Sequence, residues 1–215
     1  MKGDVITIEE QHRRAAKQIA DHLMNRITEI GDPLIITVAG ESGSGKSETG
    51  HALAEEFGQR GHHSVVFQQD DYFKLPPKSN DRKRRQDPSW VGVDEVRLDL
   101  LNAHLRASKQ RVASLDKPLV NYEADAIEEE TVDLSRAEVV IAEGTYTTLL
   151  SEADVRIFID RNRLQTLESR KKRAREPIEP FIESVLEKEH AIIAPHKAKA
   201  DIIISADFDV EFVSS

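Results

Sequence analysis

Apolar residues between Ile8 and Ile30 recur at three- and four-residue steps through Ala15, Ala16, Ile19, Leu23 and Ile27. This spacing predicts an amphipathic helix over 8–30, which Gly31-Asp32-Pro33 ends. The pattern then changes period. Leu34-Ile35-Ile36-Thr37-Val38-Ala39 is a short β-branched run of the kind that forms a strand buried on both faces. A glycine-rich turn and a helix from Lys46 to about Arg60 follow, and Ser64-Val65-Val66-Phe67 reads as a second strand. Lys74 to Asp87 is polar, basic and proline-containing, and reads as a loop. Val96, Leu100, Leu101 and Leu105 give Asp94 to Ala107 a helical spacing, whereas Lys117 to Tyr122 is extended. Two further core strands, Glu138 to Ala142 and Val155 to Ile159, precede helical stretches at about Arg163 to Ala174 and Glu179 to Ile193. Asp201 to Ile204 forms a last apolar strand, and Phe208 to Val213 adds an edge strand. Strands that alternate with helices imply a parallel sheet, because parallel neighbours need long crossovers. The expected architecture is a doubly wound, three-layer α/β domain with a mainly parallel sheet of about five strands. No internal repeat or low-complexity linker divides residues 1–215.

Charge and composition narrow the picture. The formal net charge of −9 argues against non-specific nucleic-acid binding, which needs positive surface to displace counterions. No apolar run approaches the roughly 18 residues that span a bilayer. The first residues show no basic region followed by an apolar stretch, and there is no cysteine. These features point to a cytoplasmic protein with no membrane partner.

Gly40-Glu41-Ser42-Gly43-Ser44-Gly45-Lys46-Ser47 matches G-x-x-x-x-G-K-[ST] and lies between a buried strand and a helix, where the mechanism requires it. That placement makes the expected fold a P-loop NTPase. Glycines let backbone N–H groups converge on phosphate oxygens, and the helix start, at Ser47 and Glu48, adds favourable partial positive charge. Lys46 is expected to reach the β- and γ-phosphates of ATP, and Ser47 to ligate Mg²⁺. The alternative is a glycine-rich turn that binds nothing.

Ligands of open parallel sheets sit beyond the carboxyl ends of the strands. Two acidic elements lie there, Gln69-Asp70-Asp71-Tyr72 and Glu143-Gly144-Thr145. Phosphoryl transfer needs a carboxylate at the attacking hydroxyl and oxygen ligands for magnesium. Asp70 is the candidate base, and Glu143 holds a magnesium-bound water or contacts the acceptor. Ser47, Asp70 and Glu143 are thus the candidate metal ligands, with solvated turns as the alternative for both acidic elements. Basic residues crowd Arg161 to Arg175, and Arg170 and Arg173, three apart, share a helix face from which they could close over the nucleotide. A plain solvated face is the alternative. A second run, Lys78, Arg82, Lys83, Arg84 and Arg85, reads as a mobile loop, with contact to a substrate phosphate as the other reading.

Together these residues resemble the uridine kinase and phosphoribulokinase family of P-loop kinases, over roughly Leu34 to Ile204. The phosphate loop is followed by Gln69-Asp70-Asp71-Tyr72-Phe73, similar to the family's Gln-Asp element, in which the aspartate is the base. Asp87-Pro88-Ser89-Trp90 through Asp94 resembles its Pro-x-Ala-x-Asp stretch, Tyr122-Glu123 its Tyr-Asp pair, and Val140-Ile141-Ala142-Glu143-Gly144 its strand ending in Glu-Gly. The resemblance implies that Asp70, Tyr72, Tyr122 and Glu143 contact the acceptor. It also makes Arg170-Lys171-Lys172-Arg173 a lid helix within about 163–180, and Pro195 and Lys197 part of an adenine-side loop. The departures fall on the acceptor side. The family's pyrimidine-contacting histidine is replaced within Ala124-Asp125-Ala126-Ile127, and Glu176-Pro177-Ile178 stands where the lid continues with Arg-Asp and glycines. The implied activity is ATP-dependent phosphorylation of a small hydroxyl-bearing molecule, with a nucleoside such as uridine or cytidine first. A phosphorylated or carboxylated acceptor (sugar phosphate, pantothenate, glycerate) comes second, and an ATP-dependent regulatory protein without acceptor chemistry third. The N-terminal helix either packs on the domain or forms the contact of a homo-oligomer.

Overall fold

The computed structural model describes residues 1–3, 5–162, 164–166 and 179–213. Helix α1 (Glu10–Ile30) leads into β1 (Leu34–Gly40), the phosphate loop and α2 (Lys46–Gln59). Next come β2 (Ser64–Gln68), a 3₁₀ turn (Gln69–Tyr72), α3 (Pro77–Gln86) and α4 (Leu98–Lys109). A hairpin of β3 (Ser114–Asn121) and β4 (Ala126–Asp133) precedes β5 (Val139–Glu143) and β6 (Val155–Ile159). Helix α5 (Pro180–Ile193), β7 (Ile202–Ile204) and β8 (Val210–Phe212) complete the described elements.

The main sheet has the order β2-β5-β1-β6-β7-β8. Its first five strands are parallel, and β8 runs antiparallel to β7 as the expected edge strand. Strand β1 is buried along its whole length, as its unbroken apolar run requires between two helical layers. On one face Ala16, Ile19 and Leu23 of α1 and Leu53 and Phe57 of α2 pack on Ile36, Val38 and Ile141. On the other, Leu101 and Leu105 of α4 and Ile193 of α5 pack on Ile35, Val140 and Ala142. Each buried Leu, Ile or Phe contributes about 1.5–3 kcal/mol of transfer free energy, so these two apolar layers dominate the stability. The apolar stripe of α1 is thereby spent on the domain itself. Among the described residues, no helix is long and apolar enough to cross a membrane.

Two local expectations change. The stretch expected as a loop between Lys74 and Asp87 contains α3, whose sequence, Pro-Lys-Ser-Asn-Asp-Arg-Lys-Arg-Arg-Gln, has no apolar stripe. Proline at its first turn, the four-apart pairs Asp81–Arg85 and Lys83–Asp87, and basic residues in its last turn stabilise it instead. The extended segment near Lys117 is one arm of a two-stranded sheet whose partner, β4, carries the exposed run Glu128-Glu129-Glu130.

Candidate active site

The sheet order explains why distant residues meet. Strand β5 is inserted between β1 and β2, with Glu143 aligned to Val38 on one side and Gln68 on the other. The strand that ends in the phosphate loop, the one that ends in Glu143 and the one that leads to Asp70 therefore open at the same edge, as parallel sheets place their ligands.

Gly40, at φ 155°, ends β1; a Cβ there would lie 2.9 Å from the Ile159 carbonyl and 2.8 Å from Ser44 Oγ. Ser44 N donates to the Glu41 carbonyl at 3.1 Å, and Gly45 caps α2 in a left-handed conformation. Lys46 Nζ rests on the Glu41 carbonyl at 2.8 Å. The Glu41 carboxylate, buried, meets His190 Nδ1 of α5 at 2.5 Å.

Ser47 Oγ donates to Glu143 Oε1 at 3.0 Å. Burial pushes the Glu143 carboxyl up to about 7; the charge of Asp70 pushes the same way, while Lys46 and the Ser47 hydroxyl pull it down. A consequence follows for the ligand-free protein. Its carboxyl titrates above the ordinary 4.5, so the folded state binds more protons than the unfolded chain. Glu143 thus contributes stability below pH 4.5 that is lost as pH rises through 7. Glu143→Gln, which does not titrate, is expected to raise the melting temperature at pH 8, with the gain shrinking towards pH 5. About 3 kcal/mol is the ceiling for such a shift, or up to roughly ten degrees in a chain of this size. Melting curves of both proteins across pH check it, and a gain that is the same at pH 5 and pH 8 counts against the buried-carboxylate account.

Gly144, at φ 157°, lets the next loop touch the 3₁₀ turn: a Cβ would fall 2.2 Å from Gln69 Cβ. Gln69 Oε1 accepts from Tyr146 N at 2.7 Å, which locks the turn beside Glu143. A 3₁₀ turn advances three residues per revolution, so positions 70 and 73 share a side while 71 and 72 do not. Asp70 and Phe73 line the cavity. Asp71 is buried, paired with Lys117 Nζ at 2.8 Å and the Met1 ammonium at 3.2 Å, and accepts from Val120 N at 3.0 Å. Tyr72 is fully buried with its hydroxyl 2.9 Å from His104 Nδ1. The expectation that Tyr72 contacts the acceptor is thereby corrected: the turn aims it into the core.

The cavity, about 470 Å³, runs from Ser42 and Gly43 past Asp70 and Thr145. Phe73, Leu75 and Tyr122 form one apolar wall, and Ile182, Val185 and Leu186 of α5 another. Lys78, Arg82, Arg84 and Arg85 of α3 complete the rim. Each of these cations already has a partner. Arg84 binds Glu95 at 2.5 Å and Glu189 at 3.2 Å; Arg85 binds Asp81 at 2.7 Å and also Glu179. Arg82 lies 3.4 Å from Asp125, and Lys78 Nζ donates to the Glu123 carbonyl at 3.0 Å.

Of the remaining sequence candidates, Glu48 is buried in the first turn of α2. Pro195 and Lys197 are exposed on the 3₁₀ turn Ala194–Lys199, away from the cavity lining, and Lys197 pairs with Asp160 at 2.6 Å. Arg170, Arg173 and most of the proposed lid at 163–180 lie outside the described residues. Sequence reasoning placed the helix over 179–193 and quoted Phe73 and Thr145 within the strand-end elements, but it assigned none of them to the site. The apolar spacing of Ile182, Val185 and Leu186 marked one face of a helix, though nothing in it marked a cavity wall.

The residues present fit a nucleoside triphosphate with a divalent cation. The tight glycine at position 40 leaves no room for a side chain, and the Ser44 hydroxyl is buried with no hydrogen-bond partner among the described residues. The expected ligands Ser47, Asp70 and Glu143 offer oxygen donors only, the kind magnesium prefers, and Ser47 and Glu143 are in direct contact. Among the described residues no group of three or more His, Cys, Asp or Glu side chains could by itself hold a metal ion.

The family model of the phosphoribulokinase / uridine kinase family matches residues 35–211. The chain belongs to that family. Within the family span, Ser42 and Gly43 of the phosphate loop, Asp70, Tyr122 and Thr145 line the cavity. Among curated relatives, the uridine kinase of Bacillus pumilus (strain SAFR-032) is 29% identical over 195 residues, covering 80% of this chain and 86% of that one. The uridine kinase of Bacillus subtilis (strain 168) is 28% identical over 192 residues, with 80% and 86% covered. Among solved structures, D-glycerate 3-kinase from Cryptococcus neoformans var. grubii superposes with a TM-score of 0.64 at 13% identity, covering 95% of this chain and 100% of that one. This likeness speaks for the shared fold.

Proposed function

We propose that this family member transfers the γ-phosphoryl group of ATP to a hydroxyl of an uncharged small molecule, a nucleoside such as uridine or cytidine being the preferred acceptor. The carrying observation is the position of Asp70, on the wall of a cavity that joins the phosphate loop to an apolar pocket. ATP supplies the phosphoryl group, and Mg²⁺ neutralises charge on its oxygens. Lys46 and the loop amides hold the phosphates, Ser47 and Glu143 stand where the cation would be held, and Asp70 accepts the proton of the attacking hydroxyl. Phe73 and Tyr122 offer flat apolar surface to a ring, and Leu186 adds to the apolar lining. The names of the bacterial relatives support a nucleoside.

A second reading, a phosphorylated or carboxylated acceptor, draws on the four cations of α3 along the cavity. Against it stands their existing pairing: an anion there must displace Glu95 and Glu189 from Arg84, or Asp81 and Glu179 from Arg85. The test is incubation with ATP and Mg²⁺ and separate pools of nucleosides, pantothenate, glycerate and sugar phosphates, following ADP and new phosphorylated masses against a Lys46→Ala control. Nucleoside phosphorylation with no competition from anionic metabolites is the expected result. Turnover of an anionic pool alone selects the second reading, and ATP binding with no pool consumed selects a regulatory role.

A further inference from the structure

A phosphate-binding loop is built to attract a polyanion, yet its second residue in this chain is a glutamate, whose side chain is 10% exposed. An unshielded buried carboxylate in the loop repels the phosphates the loop must hold. The structure pairs it with His190 Nδ1 of α5 at 2.5 Å. A carboxylate only accepts, so Nδ1 carries the hydrogen.

His190 lies on a helix that is fastened elsewhere too. Its neighbour Glu189 binds Arg84 of α3 at 3.2 Å, and Lys188 Nζ donates to the Pro88 carbonyl at 2.8 Å. One turn and two turns earlier, Leu186 and Ile182 line the cavity. Helix α5 therefore joins the phosphate loop at one point to the acceptor wall at several.

We propose that His190 is a positioning residue that acts through Glu41. It draws the Glu41 carboxylate on to α5 and offsets its charge, so that the loop accepts a triphosphate while the same helix presents the acceptor wall. The inference rests on the nucleotide-binding reading of the loop. Two effects must be separated, loss of charge compensation and loosening of the helix, and the partner substitution does this. If charge is the issue, removing the carboxylate makes the histidine dispensable for nucleotide affinity. If His190 merely braces α5, removing Glu41 as well repairs nothing.

The experiment is calorimetric titration of the intact chain with MgATP in the absence of any acceptor, for wild type, Glu41→Gln, His190→Ala and the double variant. His190→Ala is expected to weaken binding about tenfold, the scale of one uncompensated charge at short range in a partly screened site. Glu41→Gln is expected to bind at least as tightly as wild type, and the double variant to return to within about threefold of it, since the repelling charge is gone. His190→Gln, which keeps a donor N–H, is expected to lose less than His190→Ala. Wild-type affinity in His190→Ala, or a double variant as weak as His190→Ala, overturns the proposal. If His190→Ala does not fold, Glu41→Gln still decides: a tenfold loss in that variant would mean that the carboxylate supports the nucleotide. Failure of the wild type to bind MgATP at all overturns the nucleotide-binding reading of the loop, and this inference with it, and is told apart from the other outcomes by that single curve.

Discussion

Asp70→Asn is expected to lower kcat by about 10³-fold, within the range that a positioned general base contributes, while MgATP still binds. The substitution keeps the shape of the side chain and removes its capacity to take a proton. In the proposed site the phosphates are held by the loop and Lys46 rather than by Asp70, so their affinity should move little. Asp71, the adjacent residue, supplies the control. It is buried with two cations and a backbone amide, so Asp71→Asn should destabilise the fold by the several kcal/mol typical of a broken buried pair, read as a lower melting temperature. Steady-state kinetics and melting curves on the two variants separate chemistry from architecture. Wild-type kcat in Asp70→Asn would sink the base assignment.

Lys46→Ala is expected to reduce kcat/KM by at least about 10²- to 10³-fold, the usual cost of removing one electrostatic stabiliser from a phosphoryl-transfer site. Its ammonium contacts the Glu41 carbonyl in the structure, a parking place within the loop, and the side chain is half-buried. The ligand-free melting temperature should stay close to wild type, while the upward shift caused by MgATP should largely vanish, because a ligand stabilises only in proportion to its binding. Thermal melts with and without MgATP read both effects, and an undiminished ATP shift would remove Lys46 from the phosphate site.

What the sequence disclosed follows the physics of each segment. Strand β1, the phosphate loop and α2 combine an unbroken apolar run, a glycine spacing that few other structures need, and a helix start, and all three signals agree. Strands β5 and β6 were legible because burial on both faces leaves them apolar but for Arg156 and the terminal Glu143. Helix α3 was not, since it is held by its proline start and its ion pairs, and a helix polar on every side has no period to read. Strand β4 was hidden for a related reason: three successive glutamates have poor strand propensity, and only pairing with β3 makes them extended. At the site, sequence reasoning singled out Asp70 as the base and assigned its neighbour Asp71 no role of its own. The turn separates them, and turn phase cannot be read from residue types alone. The same phase sends Tyr72 inward and returns Phe73 to the cavity. Tyr122 was found through a family likeness, whereas the walls from α5 needed tertiary structure.

The insertion of β5 between β1 and β2 also bears on how the molecule comes into being. The phosphate loop and the Asp70 turn leave the ribosome early, but the two strands that carry them never touch each other directly; Leu34 and Ser64 both align with Val139. Until that later strand is made and threads between them, neither half has a sheet to stand on. Pairings so remote along the chain close slowly, and the unsatisfied strand edges in the meantime invite association with other chains. A nascent polypeptide halted before Val139 therefore holds its phosphate-binding motif and its aspartate in full and still has no catalytic centre, which makes this stretch of synthesis the interval in which a chaperone would matter most.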